Sequence, residues 1–374
     1  MNKPDSIIIV GSGKAAFLHL DAYTRIWQGD NLPEISIVMG DRKDEGIEKI
    51  AQVHNSRVMI KSIEQLRESS DKKLLVDVCT PTSTHRKVID QMYNLGYRHF
   101  LVEKPLVITG DDLMWIASLR INLTVMQNYL FSSATQRTLE IIRSGQFCPQ
   151  KMFSFFCKNR SDDSFQGRGF NGVHPPHVLT VEFPHQIYLA SAFLGSADVV
   201  FSAAQSMKVG TVEFSNHGAG HLSLEHIGTE SGGRLSQSFH YSCLYSKECI
   251  RKLVLMDAGG QTLSLDFPIT SGILTSHINF THFKKDNFHH ESFDNDDMMK
   301  KSLEYYCSSF FAEDNPLKIA GGVENAATVI RAMAQSENSQ MMDVCHHCRE
   351  VTSRFAINLP CNNLIRHSNE ISQS

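Results

Sequence analysis

The sequence predicts an α/β protein: a doubly wound parallel sheet followed by an α+β region with an open, mainly antiparallel sheet. Three observations carry that expectation. The first third alternates short β-rich apolar runs with helically spaced stretches. From about residue 150 strand-like runs follow one another with only glycine, serine or charged breaks between them. The chain has 374 residues, beyond the roughly 250–300 at which a single core stops growing.

Taken in order, "SIIIVG" is the first β-run and "KAAFLHLDAYTRIW" the helix after it. "EISIVMGD" is the second strand and "DEGIEKIAQVH" the second helix. "LLVDVCTP" is a third strand closed by proline, and "STHRKVIDQMYNLG" a helix that stops at Gly96. "RHFLVEKP" is a fourth strand, "GDDLMWIASLR" a helix and "LTVMQN" a fifth strand. Apolar strands separated by amphipathic helices imply parallel pairing through crossovers.

The second texture runs through "KMFSFFCK", "ADVVFSAAQSMKV", "GHLSLEHIG", "GRLSQSFHYSCL", "KLVLMDAGG", "QTLSLDF" and "SHINFTHF". One helix, "HQIYLASAFLG", is inserted after its first strand. A helical block, "DMMKKSLEYYCSSFFAE" and "GVENAATVIRAMAQS", follows the sheet. The expected division is 1–128, a dinucleotide-binding domain; 129–338, a substrate domain; and 339–374, a polar tail.

Composition narrows the function classes. The chain is 41% hydrophobic and 20% charged, with 36 basic against 40 acidic residues and a formal charge of −4. That balance offers no footprint for nucleic acid or an anionic membrane. The early apolar stretch, Ile7 to Val10, is too short for a signal-peptide core or a membrane span. Nine scattered cysteines without framework spacing read as reduced thiols in a cytoplasm.

"IIIVGSGKAA" holds the G-x-G-x-x-A variant of the phosphate fingerprint, with Gly11, Ser12, Gly13, Lys14, Ala15 and Ala16. The first glycine makes the tight turn and the second admits a pyrophosphate. Ala16 lets helix and strand pack closely, and the helix N-terminus faces the anion. The second strand ends at Asp41, whose carboxylate can accept hydrogen bonds from ribose hydroxyls. It stands 28 residues beyond Gly13, against the usual spacing of about 20, so the first helix and its loop are longer than usual. Asp41 favours NAD; Arg42 and Lys43 directly after it leave NADP open.

The set of G-x-G-x-x-A with His19 downstream, then "VDVCTPTSTH", then "VEKP", resembles the glucose–fructose oxidoreductase / inositol dehydrogenase (Gfo/Idh/MocA) family. The resemblance covers roughly residues 5–338 and includes "GGVENAATVIRAM". It implies a Rossmann domain, an open substrate sheet and a nicotinamide-dependent oxidoreductase. It also implies that Thr80, Pro81 and His85 line the cofactor path, that Glu103 and Lys104 sit beside the nicotinamide, and that Gln127 or Asn128 lies at the domain junction. Independently, "EKP" falls at the carboxyl end of a strand, where open α/β sheets bind ligands. Pro105 biases Lys104 toward an extended backbone. An ammonium there stabilises negative charge developing on an alcohol or carbonyl oxygen.

The family's D-x-G-x-H-x-x-D segment is matched by "HVLTVEFPHQIYLASAFLG". His185 takes the histidine position, but Val181 stands at the first aspartate with Glu182 one residue later, and Tyr188 replaces the second aspartate. The expected catalytic set is Lys104, His185, Glu182 and Tyr188, with His185 exchanging the hydroxyl proton. The altered carboxylates put the usual polyol preference in question. His174, His177, Glu182 and His185 are ligand types for zinc, but Pro175 and Pro176 deny the first pair a helical spacing, and no metal is expected. "CHHC", Cys345 to Cys348, has only Cys361 and His367 as later partners and reads as tail. His217 and His289-His290 read as surface or loop residues, and "MFSFFCKN" as strand core. Arg160 or Arg168, in a long glycine-rich loop, could meet an anionic group.

The expectation is hydride exchange between NAD, or NADP, and a small sugar- or cyclitol-like substrate. The 103–105 turn and His185 would serve one nicotinamide ring, in a cytoplasmic homo-oligomer, dimer or tetramer. Two other readings keep the fold: a dinucleotide-binding regulatory protein without chemistry, and an epimerase- or glycosidase-like enzyme that uses NAD transiently.

Overall fold

The computed structural model describes residues 3–40, 45–66, 73–159, 176–209, 212–227, 235–268, 274–282, 287–311 and 322–337. Asp41, Arg42, Lys43, Arg160, Arg168, His174, the 345–348 segment, Cys361 and His367 lie outside them. The chain divides into two compact units. The first is Met1–Glu140 with Leu274–Ser276 and Phe293–Ile330; the second is Ile141–Ile273 with His277–Ser292 and the chain from Arg331.

In the first unit β1 (Ser6–Val10) leads into α1 (Lys14–Ile26), β2 (Glu34–Val38) into α2 (Glu45–Val53), and β3 (Val58–Lys61) into β4 (Leu74–Val78). Then come α3 (His85–Asn94), β5 (His99–Val102), α4 (Gly110–Ser118), β6 (Asn122–Val125) and α5 (Ser133–Arg143). The strands form one sheet in the order β3-β2-β1-β4-β5-β6, parallel throughout. This is the doubly wound order that the alternating pattern predicts.

Side chains alternate across the sheet, so both faces need cover. Ile7, Ile9, Ile35 and Ile37 face one core with Leu20 and Tyr23 of α1. Ile8, Val10, Val76, Phe100 and Val102 face the other, with Ile89 of α3 and Ile116 of α4. The strand β3 was not expected: it is a four-residue edge whose Met59 and Ile60 stay exposed, so it carries no buried run to read. Helix α5 was likewise not anticipated.

Helix α8 (Met298–Ser309) and the start of α9 (Gly322–Ser336) belong to this unit, where the sequence division put them with the second sheet. Leu303, Tyr306, Cys307 and Phe310 enter the α1 core. Asp296, fully buried, accepts from the hydroxyls of Ser132 and Ser276 at 2.6 Å each, from Ser133 N–H at 2.8 Å and from Lys301 Nζ at 2.7 Å. One carboxylate thus pins three separate chain segments together, a link no periodicity displays.

The second unit holds an eight-stranded sheet made of β7 (Pro149–Asn159), β8 (Ser196–Val209), β9 (Val212–Ile227), β10 (Leu235–Cys243), β11 (Tyr245–Asp257), β12 (Thr262–Asp266), β13 (Ser276–His282) and β14 (Asn287–Phe293). The order is β14-β13-β12-β11-β7-β10-β9-β8. The described pairings are antiparallel except β7 with β10, which is parallel. Helices α6 (Val178–Val181) and α7 (Phe183–Leu194) follow β7. Gln186 of α7 donates to Tyr241 O at 2.9 Å and Ser154 O at 3.3 Å, fixing the helix on the sheet. Gly220 lets α6 and α7 lie close on the sheet, since a Cβ there would stand 2.9 Å from Val178 and 3.1 Å from Phe183. Phe153, Phe155, Tyr241 and Val254 form an apolar cluster of their own, with Phe201 and Phe239 against it.

Candidate active site

The ladder of the parallel sheet runs one residue past its strands. Gly11 N–H donates to Val38 O, Cys79 N–H to Val10 O, Glu103 N–H to Val78 O and Met126 N–H to Val102 O, all at 2.8–2.9 Å. The glycine turn, "CTP", "EKP" and the segment ahead of Asn128 therefore share one edge, at the carboxyl ends of the strands.

Gly11 has φ +123°, and a Cβ there would stand 2.8 Å from Cys79 O. Conformation and space both require glycine. Gly13 is the opposite case: a Cβ would meet nothing within 4 Å. Gly13 also caps α1 without a side chain to accept from the first N–H groups, and no acidic residue occupies the first turn. Open space before uncapped N–H groups suits a pyrophosphate. Ser12 is buried and accepts Gly40 N–H at 3.0 Å, joining the turn to the end of β2. Lys14 is exposed, its Nζ 4.3 Å from the Phe17 ring centroid, and Ala16 is buried against the sheet.

Thr80 keeps a buried hydroxyl with no hydrogen-bond partner among the described residues, and Pro81 beside it is exposed. His85 is fully buried. Its Nδ1 lies 2.9 Å from Leu106 O and its Nε2 2.9 Å from Thr80 O, and burial lowers its pKa. It braces the "CTP" loop against the segment after "EKP". Lys104 is half-buried and its bond to Pro105 is cis. Asn128 opens a 3₁₀ turn after β6, half-buried.

Sequence reasoning gave His19 no role. Its Nδ1 donates to Asp77 Oδ2 at 2.8 Å and its Nε2 to Glu103 Oε1 at 3.0 Å. Tyr23 OH donates to the same Asp77 oxygen at 2.8 Å. Burial opposes the charge on His19, but Asp77 and Cys79 beside it hold the imidazolium well above the ordinary range. Burial also pushes the Glu103 carboxyl up, and the hydrogen bond from His19 outweighs it, so its pKa falls. The legible signal was Asp77 inside an apolar strand with His19 and Tyr23 one turn apart on an apolar helix face. Each needs a buried partner.

In the second unit Glu182 sits between α6 and α7, fully buried. It is ion-paired with Lys158 of β7 and accepts from Arg251 of β11 at 2.6 Å. Arg251 also lies 5.3 Å from the Phe156 ring centroid, its partner in register. Glu182 is therefore committed to two cations, neither of which the sequence brought forward; only strand pairing places them together. His185 follows with Pro184 in the first helical turn. Its Nδ1 is 3.0 Å from the Tyr188 hydroxyl, and the two rings stand at 89°.

His177 caps α6 by accepting Leu179 N–H at 3.2 Å, and burial beside His217 lowers its pKa to about 4. His217 is not a surface residue: it is buried in β9, 2.7 Å from Pro176 O and 3.3 Å from Tyr245 OH. His289 and His290 are exposed but belong to β14, not to a loop. Among the described residues His19, Asp77 and Cys79 have the spacing of metal ligands, yet both imidazole nitrogens of His19 donate to carboxylates and have no lone pair to offer.

Residues 6–122 match the family described as oxidoreductase family, NAD-binding Rossmann fold (GFO_IDH_MocA). The dinucleotide domain belongs to the Gfo/Idh/MocA family. The family is one of oxidoreductases, and its Rossmann domain is the NAD-binding part. Solved structures share the fold over most of the chain. UDP-N-acetylglucosamine 3-dehydrogenase GnnA from Acidithiobacillus ferrooxidans is 16% identical with a TM-score of 0.66, covering 90% of this chain and 99% of that one. The 3-ketoreductase KijD10 from Actinomadura kijaniata, in complex with NADP and TDP-benzene, is 14% identical with a TM-score of 0.68, covering 89% and 98%. No curated protein matches the sequence. No helix among the described residues is long and apolar enough to cross a membrane.

Proposed function

We propose that the protein exchanges a hydride between NAD(P) and a hydroxyl or carbonyl carbon of a small sugar- or cyclitol-like substrate. The observation that carries this reading is the shared sheet edge: a glycine turn closed at Gly11 and open at Gly13, with "CTP" and "EKP" beside it. Gly11, Ser12, Gly13, Lys14 and Ala15 hold the dinucleotide phosphates, Thr80 and Pro81 flank the cofactor, and Asp41 with Arg42 decides between NAD and NADP. When bound, the nicotinamide accepts or gives the hydride. Lys104 polarises the reacting oxygen. His185 exchanges its proton, with Tyr188 orienting the ring through Nδ1. Glu182 serves as the ion-paired support of the His185 turn. The sugar-nucleotide dehydrogenase and ketoreductase among the similar structures agree with such a substrate.

The test is to titrate NADH and NADPH against the protein by fluorescence. Absorbance of the reduced form is then followed with keto-sugars and inososes. Binding of neither cofactor overturns the reading. The commitment of Glu182 to Lys158 and Arg251 favours one rival, a dinucleotide-binding regulator, which would bind NADH and exchange no hydride with any member of the panel. We also place the protein in the cytoplasm as a homo-oligomer. Sedimentation as a monomer at micromolar concentration would remove that assignment.

A further inference from the structure

Four buried side chains and the part-buried Glu103 form one hydrogen-bonded chain below the sheet edge. Tyr23 and His19 of α1 meet Asp77 of β4, Cys79 lies 3.4 Å from His19 Nδ1, and Glu103 closes the far end. Cys307 of α8 faces the same cluster. Asp77 and Glu103 accept from opposite nitrogens of one imidazole, so that ring carries both protons and one positive charge. The other oxygen of Glu103 accepts Lys104 N–H at 3.1 Å. The chain thus has one end in the core and the other on the backbone of the lysine whose ammonium the proposed reaction needs.

We propose that His19 is the positioning residue of the Glu103–Lys104 turn: clamped as an imidazolium between Asp77 and Glu103, it fixes Glu103 and through it Lys104. It does so from α1, the helix whose N-terminus lies at Gly13, so a single rigid element carries both the phosphate end and the support of the lysine. The charges explain why histidine stands there. Asp77, His19 and Glu103 sum to −1, which the Lys104 ammonium offsets. Without the imidazolium two carboxylates would share a buried site, and one would take up a proton. A neutral Glu103 would then hold the Lys104 N–H more weakly.

The inference rests on the assignment of Lys104 to the reacting oxygen, and the experiments keep the two apart. Nitrogen-15 histidine spectra of the whole protein should show His19 doubly protonated at pH 8. A singly protonated ring there overturns the inference. Trace acetylation, read by peptide mass spectrometry, should show the Lys104 rate changed at least about threefold in His19→Gln and in Glu103→Gln. It should be unchanged in Asp21→Asn, an exposed position on the same helix. Wild-type labelling in both His19→Gln and Glu103→Gln overturns the inference. Should His19→Gln fail to fold, Glu103→Gln, at the outer end of the chain, decides alone. On any substrate found, His19→Gln should lower kcat about tenfold or more, with KM and cofactor Kd within about twofold of wild type. Loss of turnover in Lys104→Ala with none in His19→Gln refutes the positioning role alone. Full turnover in Lys104→Ala refutes the lysine assignment instead.

Discussion

Replacing each glycine of the 11–13 turn by alanine separates what builds the turn from what it binds. At Gly11 the new methyl would lie 2.8 Å from Cys79 O and 2.9 Å from its carbonyl carbon, at φ +123°. Both obstacles are backbone of a buried strand end and cannot swing away. A strained φ costs about 1–3 kcal/mol and forced overpacking about 1–3 kcal/mol. Gly11→Ala should therefore lose roughly 2–6 kcal/mol, a large share of the 5–15 kcal/mol or so typical of a folded protein. At Gly13 the methyl meets nothing within 4 Å and φ is −88°, so Gly13→Ala should hold its stability within about 1 kcal/mol. It fills the space before the α1 N-terminus, and NADH and NADPH affinity should fall about tenfold or more, about 1.4 kcal/mol. Urea unfolding followed by circular dichroism reads the first quantity and fluorescence titration the second. A wild-type urea midpoint for Gly11→Ala, or wild-type cofactor affinity for Gly13→Ala, would refute the assignment of closed and open sides to this turn.

Lys104→Ala should leave cofactor binding intact and slow the chemical step by about 10²–10⁴, seen in single-turnover kinetics. Arg251→Met removes one of the two described cations of the buried Glu182 and should cost about 3 kcal/mol in urea unfolding; a loss below about 1 kcal/mol would mean the remaining contacts of Glu182 suffice. Acid should weaken the fold through His177, whose pKa is about 4 when folded and about 6.5 when unfolded. The unfolded chain binds that proton first, so stability falls as pH drops through this window, by about 1.4 kcal/mol per unit. His177→Gln should flatten the slope. His19 acts in the opposite sense: its raised pKa gives a contribution complete below about pH 6.5 and lost only as pH rises through the folded value. Urea midpoints from mildly acid to alkaline pH, with His19→Gln beside wild type, separate the two.

The parallel sheet was legible because its buried strands are short, largely apolar runs separated by amphipathic helices and its ligand edge is spelled in glycine and proline. The edge strand β3 and the exposed strand β14 lack such runs and went unread. The position of His185 at the start of α7 followed from Pro184, but the fate of Glu182 did not. Its partners come from β7 and β11, which are sequence-distant and meet only through pairing, Arg251 opposite Phe156. His19 and Asp77 stood in plain view as polar residues in apolar runs. What hid their connection is that it crosses from helix to strand, and only the fold brings residues 58 positions apart to 2.8 Å. Burial of His217 was hidden for a similar reason: a polar stretch read as a break is the early part of β9.

The strand β7 comes first in the second sheet yet lies in its middle, parallel to β10 on one side and antiparallel to β11 on the other. Neither neighbour exists on the ribosome until the chain has passed Leu235, so the phenylalanine-rich stretch at 153–156 must wait with both its hydrogen-bonding edges bare. Sheets assembled by such late closure form slowly and expose sticky intermediates meanwhile. Yield during expression should therefore respond to temperature and chaperone supply more than the stability of the finished molecule would suggest.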